Sequence, residues 1–253
     1  MFPYARILLF MGIALGVTNS QDSDEFTSTT DFSRTEATPS KNISASNKLQ
    51  IDIYYETLCP YSNKFFNEQF APAYDTFKNY IVVRFVPSGS AEIINNGESF
   101  QCQHGPRECE GNAFHSCVLN YLHNDQDAQV KFITEKRCQI NKRVRNVPLH
   151  NNRCLLAINL LGLHVSDCMS GPKRRELQLS AGKETLSIEG LRFVPTVVYN
   201  KEFDLEKAED STDDFRRIVC EELGSLQIES DELTKMCPEI QTTDTVTSTL
   251  TSV

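Results

Sequence analysis

Residues 51–55 form an extended apolar run that leads through a short loop into Cys59-Pro60-Tyr61-Ser62, and a helix-like stretch over residues 63–80 follows at once. A strand that turns straight into a helix commits the chain to an α/β layer and places the Cys59 sulfur at a helix N-terminus. There the orphan backbone N–H groups and the positive end of the helix dipole favour a thiolate, the form that attacks disulfides. Ser62 stands where a Cys-x-x-Cys site would carry its resolving cysteine, so redox chemistry here would be monothiol chemistry. The same local pattern also fits a buried structural cysteine ahead of a helix.

The pattern of apolar residues extends the unit. Leu49–Tyr55 reads as a strand with Ile51, Ile53 and Tyr55 on one face. In the helix after it, Phe65, Phe66, Phe70, Ala73, Tyr74 and Phe77 recur at three- and four-residue steps, a core-facing stripe. Pro72 falls inside this helix and is expected to kink it. A second strand over residues 80–87 reads as a buried parallel strand and completes a βαβ unit. Helices are expected over residues 127–140 and 147–163. Residues 191–200 deliver the chain through Pro195 into a third strand starting at Thr196; proline is tolerated there because it need not donate into the ladder. A last helix is expected from Ser211, with Ser211 and Asp214 at capping-box-like spacing, to Leu223, with Gly224 as a left-handed cap. This order describes an α/β chain with a thioredoxin-like fold and a disulfide-rich helical insertion.

The flanks are of a different kind. Arg6, an apolar core over residues 7–17 and small polar residues 18–20 read as a secretory signal peptide, residues 1–20. That apolar stretch is about half the roughly 20 residues a spanning helix needs, so no membrane anchor is expected. Residues 21–47 are rich in Ser, Thr, Asp and Glu and read as a disordered linker carrying the sequon at Asn42. The folded domain spans residues 48–239, and 240–253 form a Thr-rich tail. With 25 Lys+Arg against 34 Asp+Glu, a net charge of −9 and no basic block, nucleic acid is excluded as a partner. The 40% hydrophobic content is ample for a core.

A lumenal or extracellular chain can pair its thiols. Of nine cysteines, Cys59 stands apart from Cys102, Cys109, Cys117, Cys138, Cys154, Cys168, Cys220 and Cys237. Those eight are the disulfide candidates, and their 105 connectivities stay open. Three of them, Cys102, Cys109 and Cys117, fall within sixteen residues. A zinc site completed by His104 or His115 is disfavoured, because the gaps do not match short Cys-x-x-Cys knuckles. No metal is expected, and disulfide staples across an irregular loop are the better reading. No histidine stands in a protease-like context with Cys59.

The run Cys102, Gln103, His104, Gly105, then Glu108, Cys109, Asn112 and Cys117 closely resembles the signature of the gamma-interferon-inducible lysosomal thiol reductase family. The resemblance covers the folded domain, with Cys59 upstream and Pro195 downstream where that family has its active-site turn and cis-proline. It implies a thioredoxin-like enzyme that reduces protein disulfides in acidic endolysosomal compartments, often in host defence, and a secreted or lysosomal residence. It makes Cys59 the nucleophile and assigns Pro60, Tyr61 and Pro195 to substrate binding. Ser62 departs from the family pattern. A mixed disulfide on Cys59 would then need an external thiol such as glutathione or free cysteine, with no bound cofactor, or a second substrate cysteine. The partners are disulfide-containing proteins and low-molecular-weight thiols. Two rivals remain: a redox-inactive or weakly active protein that holds cysteine-containing partners, and a Cys59 paired structurally.

Overall fold

The computed structural model describes residues 48–139, 152–160, 164–226, 228 and 230–238. The signal peptide, the linker with Asn42, the tail, residue 140 and both ends of the helix expected over 147–163 lie outside them. Strand β1 (Leu49–Tyr55) is central and buried on both faces. Its Ile51, Ile53 and Tyr55 enter the main core, while Tyr54 packs with Val86 and Val198 on the opposite side.

The helix after β1 runs in three pieces: α1 (Pro60–Phe65), a π-helical turn (Phe66–Phe70) and α2 (Ala71–Phe77). The extra residue of the π turn lets Phe65, Phe66 and Phe70 all reach the core, where Phe66 and Phe70 meet Phe85 with ring centroids 6.0 and 5.6 Å apart. Pro72, expected to kink this helix, follows just after the π turn with helical backbone on both sides, so its missing N–H falls where the ladder is already irregular.

Strand β2 (Ile81–Pro87) pairs in parallel with β1, with Leu49 opposite Ile81 and Tyr55 opposite Pro87. It is a sheet edge, not the fully buried strand the β-branched run suggested, and Val82 and Arg84 point to solvent. Arg84 explains why Asp52 can be buried at 1% exposure in mid-strand. Directly opposite on β2, its Nε and Nη2 grip the two carboxylate oxygens at 3.0 and 2.8 Å, and Glu184 binds the same guanidinium.

Two short strands not expected from the apolar pattern, β3 (Glu92–Ile94) and β4 (Ser99–Gln101), make a separate hairpin. Residues 102–117 do not form the expected irregular loop. Beyond Gly105 they belong to α3 (Pro106–Tyr121), a helix buried almost all round. Helix α4 (Gln126–Thr134), capped by Asp125, ends before residue 140 because the chain turns at 135–138 to bring Cys138 inward. Helix α5 (Asn152–Ala157) ends before the turn at 158–159 that falls inside the expected helix, and α6 (Val165–Ser170) and α7 (Pro172–Leu186) follow.

Strand β5 (Thr196–Tyr199) lies antiparallel to β1, completing the sheet order β2-β1-β5. Asn200 and Lys201, both at positive φ, fold the chain into a single bridge between Tyr199 and Glu202. Helix α8 (Leu205–Asp213) is capped by Asp204 and α9 (Phe215–Ser225) by Asp214. The expected start at Ser211 is therefore corrected. Ser211 lies within α8, buried, with its hydroxyl on Tyr199 at 2.8 Å. Gly224 is an interior residue of α9, which ends at Leu226 in right-handed geometry, so no glycine cap is needed. Helix α10 (Asp231–Met236) closes the described chain. A βαβ unit, a helical insertion, an antiparallel strand beside β1 and a covering helix make this a thioredoxin-like α/β fold.

Four disulfides, Cys102–Cys109, Cys117–Cys168, Cys138–Cys154 and Cys220–Cys237, take up eight cysteines. Cys59 is free.

Candidate functional site

Cys59 is the N-cap residue of α1, with extended backbone. The loop from β1 holds it in a tight turn: its N–H donates to the Glu56 carbonyl at 3.3 Å, and its own carbonyl accepts from Asn63 N–H at 3.2 Å. Its side chain makes no capping hydrogen bond to the first-turn amides. Cys59 is 4% exposed, whereas Pro60 and Tyr61, which follow it, are exposed, Tyr61 at 72%. Its Sγ lies 3.6 Å from the Val194 carbonyl. The Val194–Pro195 peptide is cis, and Thr196 pairs with Tyr54 near the end of β1. The sheet register thus carries Pro195 to Cys59 from a distant part of the chain.

Ser62 is fully buried one turn into the helix, and its Oγ accepts the Glu56 N–H at 3.5 Å. It is not a helix cap, because Cys59 itself occupies the N-cap. Ser62 faces the backbone of the loop.

The signature residues divide by task. Glu108 and Asn112, one turn apart on α3, reach the loop ahead of Cys59. Glu108 Oε2 accepts the Leu58 N–H at 3.2 Å, and Asn112 Oδ1 accepts both the N–H and the hydroxyl of Thr57 at 3.0 and 2.8 Å. Gly105, at φ +87°, turns the chain into α3. Cys102 and Cys109 close the loop that carries His104, Cys117 ties α3 to α6, and Gln103 is exposed. With Cys102, Cys109 and Cys117 in disulfides, the cysteine-based zinc set has no free thiol.

His104 faces carboxylates. Its Nδ1 lies 2.6 Å from Glu108 Oε2 and 3.4 Å from Glu56 Oε2, and its N–H donates to Glu108 Oε1 at 2.9 Å. Glu56 Oε1 accepts the Ser90 N–H at 2.7 Å. Burial, and then the Glu108 carboxylate, raise the Glu56 carboxyl above the usual carboxylate range. Gly89 makes room for it: a Cβ there would stand 2.2 Å from Glu56 Cγ. Neither Glu56 nor Gly89 lies in a motif, and both join the site only through the fold.

His115 is structural. Buried on α3, its Nδ1 meets the Tyr55 hydroxyl at 2.9 Å and its Nε2 the Cys138 carbonyl at 3.4 Å. A carbonyl accepts only, so Nε2 carries the proton and Nδ1 accepts from Tyr55. Burial pushes the imidazole down to about 4 and keeps it neutral.

A likeness to crystal structures exists but is distant: reduced DsbA from Mycobacterium tuberculosis superposes with a TM-score of 0.39 at 15% identity, over 76% of this chain and 89% of that one. Sequence comparisons are stronger. A family model described as gamma interferon inducible lysosomal thiol reductase (GILT) matches residues 50–157. GILT-like protein 1 of Drosophila melanogaster is 31% identical over 170 residues, 62% of this chain and 68% of that protein. The gamma-interferon-responsive lysosomal thiol protein of Arabidopsis thaliana is 30% identical over 179 residues, 69% of this chain and 71% of that one. No helix among the described residues is long and apolar enough to cross a membrane. By its signature, its active-site turn and these relatives, the chain belongs to the gamma interferon inducible lysosomal thiol reductase family.

Proposed function

We propose that the chain is a thiol–disulfide oxidoreductase working through Cys59 alone, in an acidic endolysosomal or extracellular space. The observation that carries this is the pairing of the nine cysteines. Eight are tied in disulfides, while Cys59 stays free at a helix N-terminus with a buried serine in the resolving position.

The Cys59 thiolate attacks one sulfur of a substrate disulfide. A bond forms between Cys59 and that sulfur, the substrate disulfide breaks, and the second substrate sulfur leaves as a thiolate that takes a proton. The Ser62 hydroxyl cannot expel the bound sulfur. A thiolate of glutathione or free cysteine attacks Cys59 Sγ instead and releases the substrate thiol. A second such thiolate then frees Cys59 as the small-molecule disulfide departs. Two thiols are oxidised and one substrate disulfide is reduced. Attack by another substrate cysteine gives isomerisation. Exposed Tyr61 and Pro60, with Pro195 across the sulfur, form the surface for an extended substrate segment.

The low exposure of Cys59 also favours a second reading, a binding protein that holds cysteine-containing partners as long-lived adducts. One experiment separates them. The mature protein, its disulfides intact, is assayed for reduction of a denatured disulfide-bonded substrate at lysosome-like pH, with and without glutathione or cysteine, against Cys59→Ala. Turnover that needs both the external thiol and Cys59 supports the reductase. A mixed disulfide that accumulates even with excess thiol supports the binder, and activity equal to the parent in Cys59→Ala refutes both.

A further inference from the structure

Behind the Cys59 loop, Glu56 Oε2, His104 Nδ1 and Glu108 Oε2 lie within 4.8 Å of one another. They come from the loop after β1, the turn before α3 and the first turn of α3. We propose that this cluster is a binding site for a divalent cation of the zinc class.

The first ground is charge. The side chains of Glu56 and Glu108 are 1% and 0% exposed, and a single imidazole stands between them. Two carboxylates this close in a medium of low polarity call for more positive charge than one imidazole can supply. The second ground is independent of the first. Glu56 Oε2 is buried and makes no hydrogen bond, although it is aimed into the cluster. Buried polar atoms are hydrogen-bonded in nearly all native proteins, and a buried carboxylate oxygen with only the His104 ring 3.4 Å away and no hydrogen bond is a place where an ion or an ordered water fits.

Donor chemistry and supporting contacts fit the same cation. One imidazole nitrogen and two carboxylate oxygens are ordinary zinc ligands, at about 2.0–2.2 Å, which sets neighbouring donors of a tetrahedral shell about 3.3 Å apart. Nδ1 of His104 and Oε2 of Glu56 stand 3.4 Å apart. The shorter 2.6 Å approach of Glu108 Oε2 would open by less than about 1 Å as the metal replaces the shared proton. The carboxylates are already oriented by backbone donors, Ser90 N–H on Glu56 and the Leu58 and His104 N–H groups on Glu108, the outer support that metal ligands usually have. His104, 17% exposed, gives the ion a way in and leaves a fourth position for water. A cation here would join Glu56 to α3 and fix the loop carrying Cys59 from beneath.

The test uses the untagged full chain with its disulfides intact and Cys59 blocked by iodoacetamide, so that no free thiol can take the metal. Zn²⁺ is titrated calorimetrically at neutral pH, and zinc-edge X-ray absorption is recorded on the loaded protein. The expected result is one Zn²⁺ per chain, an absorption spectrum with one imidazole, oxygen and no sulfur in the shell, and affinity lowered at least about tenfold in Glu56→Gln and in His104→Gln. No stoichiometric binding, sulfur in the shell, or unchanged affinity in both variants would overturn the proposal. The absorption spectrum of the parent decides alone if either variant fails to fold. Because Cys59 is blocked throughout, the outcome is independent of whether the protein turns over disulfides.

Discussion

Asn112 on α3 holds Thr57 twice, with its Oδ1 accepting both the backbone N–H at 3.0 Å and the hydroxyl at 2.8 Å. Thr57 stands two residues before Cys59, so the helix that bears the family signature sets the position of the nucleophile's loop. Asn112→Ala strands a buried N–H, an effect worth about 1–3 kcal/mol. In a domain of this size that lowers the melting temperature by roughly 2–4 °C per kcal/mol. Because the loop is loosened, alkylation of Cys59 by iodoacetamide should also speed up. An unchanged melting curve together with an unchanged alkylation rate would show that Asn112 does not restrain the loop.

Replacing Ser62 by cysteine tests the resolving position. The Ser62 contact to Glu56 N–H is long, at 3.5 Å, so Ser62→Cys removes little stability. It supplies a second sulfur one turn from Cys59. With external thiol withheld, the parent is expected to accumulate a mixed disulfide with substrate, seen as a mass increase by non-reducing mass spectrometry. Ser62→Cys should instead release its substrate and be recovered with Cys59 oxidised intramolecularly. Equal adduct in both proteins would mean that position 62 does not reach the bound sulfur.

Much of this frame can be read from the chain, and the gaps have physical causes. β1 has the bounds that its apolar run gives, and β5 begins at Thr196. Both are short hydrophobic strands next to proline or helix signals. Helix α3 escapes because Glu108, Asn112, His115 and Ser116 are buried alongside its apolar residues. A helix wrapped by protein on all sides has no polar face, and so no period. Helix α7 escapes for the opposite reason, since only Gln178, Ala181, Gly182 and Thr185 of it are buried. The hairpin of β3 and β4 has three-residue strands, too short for alternation to register. At the site, Cys59, Ser62, Pro195 and the signature are visible as motifs. Glu56 reaches His104 and Glu108 only through tertiary folding.

The disulfides should rank by the loops they close. Cys117–Cys168 spans 51 residues and Cys102–Cys109 only seven. On the chain-entropy account, removing the first costs about 4 kcal/mol and the second about 2.5 kcal/mol. Paired Cys→Ser variants compared by denaturant unfolding should keep that order. The reverse order would mean that the short staple across the His104 loop contributes through native-state contacts to the Glu108 region.

His115 sets a pH dependence that bears on an acidic compartment. Its imidazole is pushed from 6.5 to about 4 in the folded protein by burial, so between those values the unfolded chain binds a proton that the folded chain refuses. Stability from this group is complete above about pH 6.5, falls as the pH drops, and is fully lost below about 4. A shift of that size is worth roughly 3 kcal/mol. His115→Gln keeps a donor and an acceptor for the Cys138 carbonyl and the Tyr55 hydroxyl but cannot titrate. Urea unfolding of parent and variant across pH 4 to 7 should show the parent losing up to roughly 3 kcal/mol more on acidification. Parallel curves would mean that His115 accepts its proton without unfolding. The expected loss falls between about pH 6.5 and 4, and His115 meets Cys138 directly. Removing the Cys138–Cys154 disulfide lowers the stability of parent and His115→Gln alike, and because the parent loses stability more steeply as the pH falls, its acid unfolding midpoint should move upward by less than that of His115→Gln.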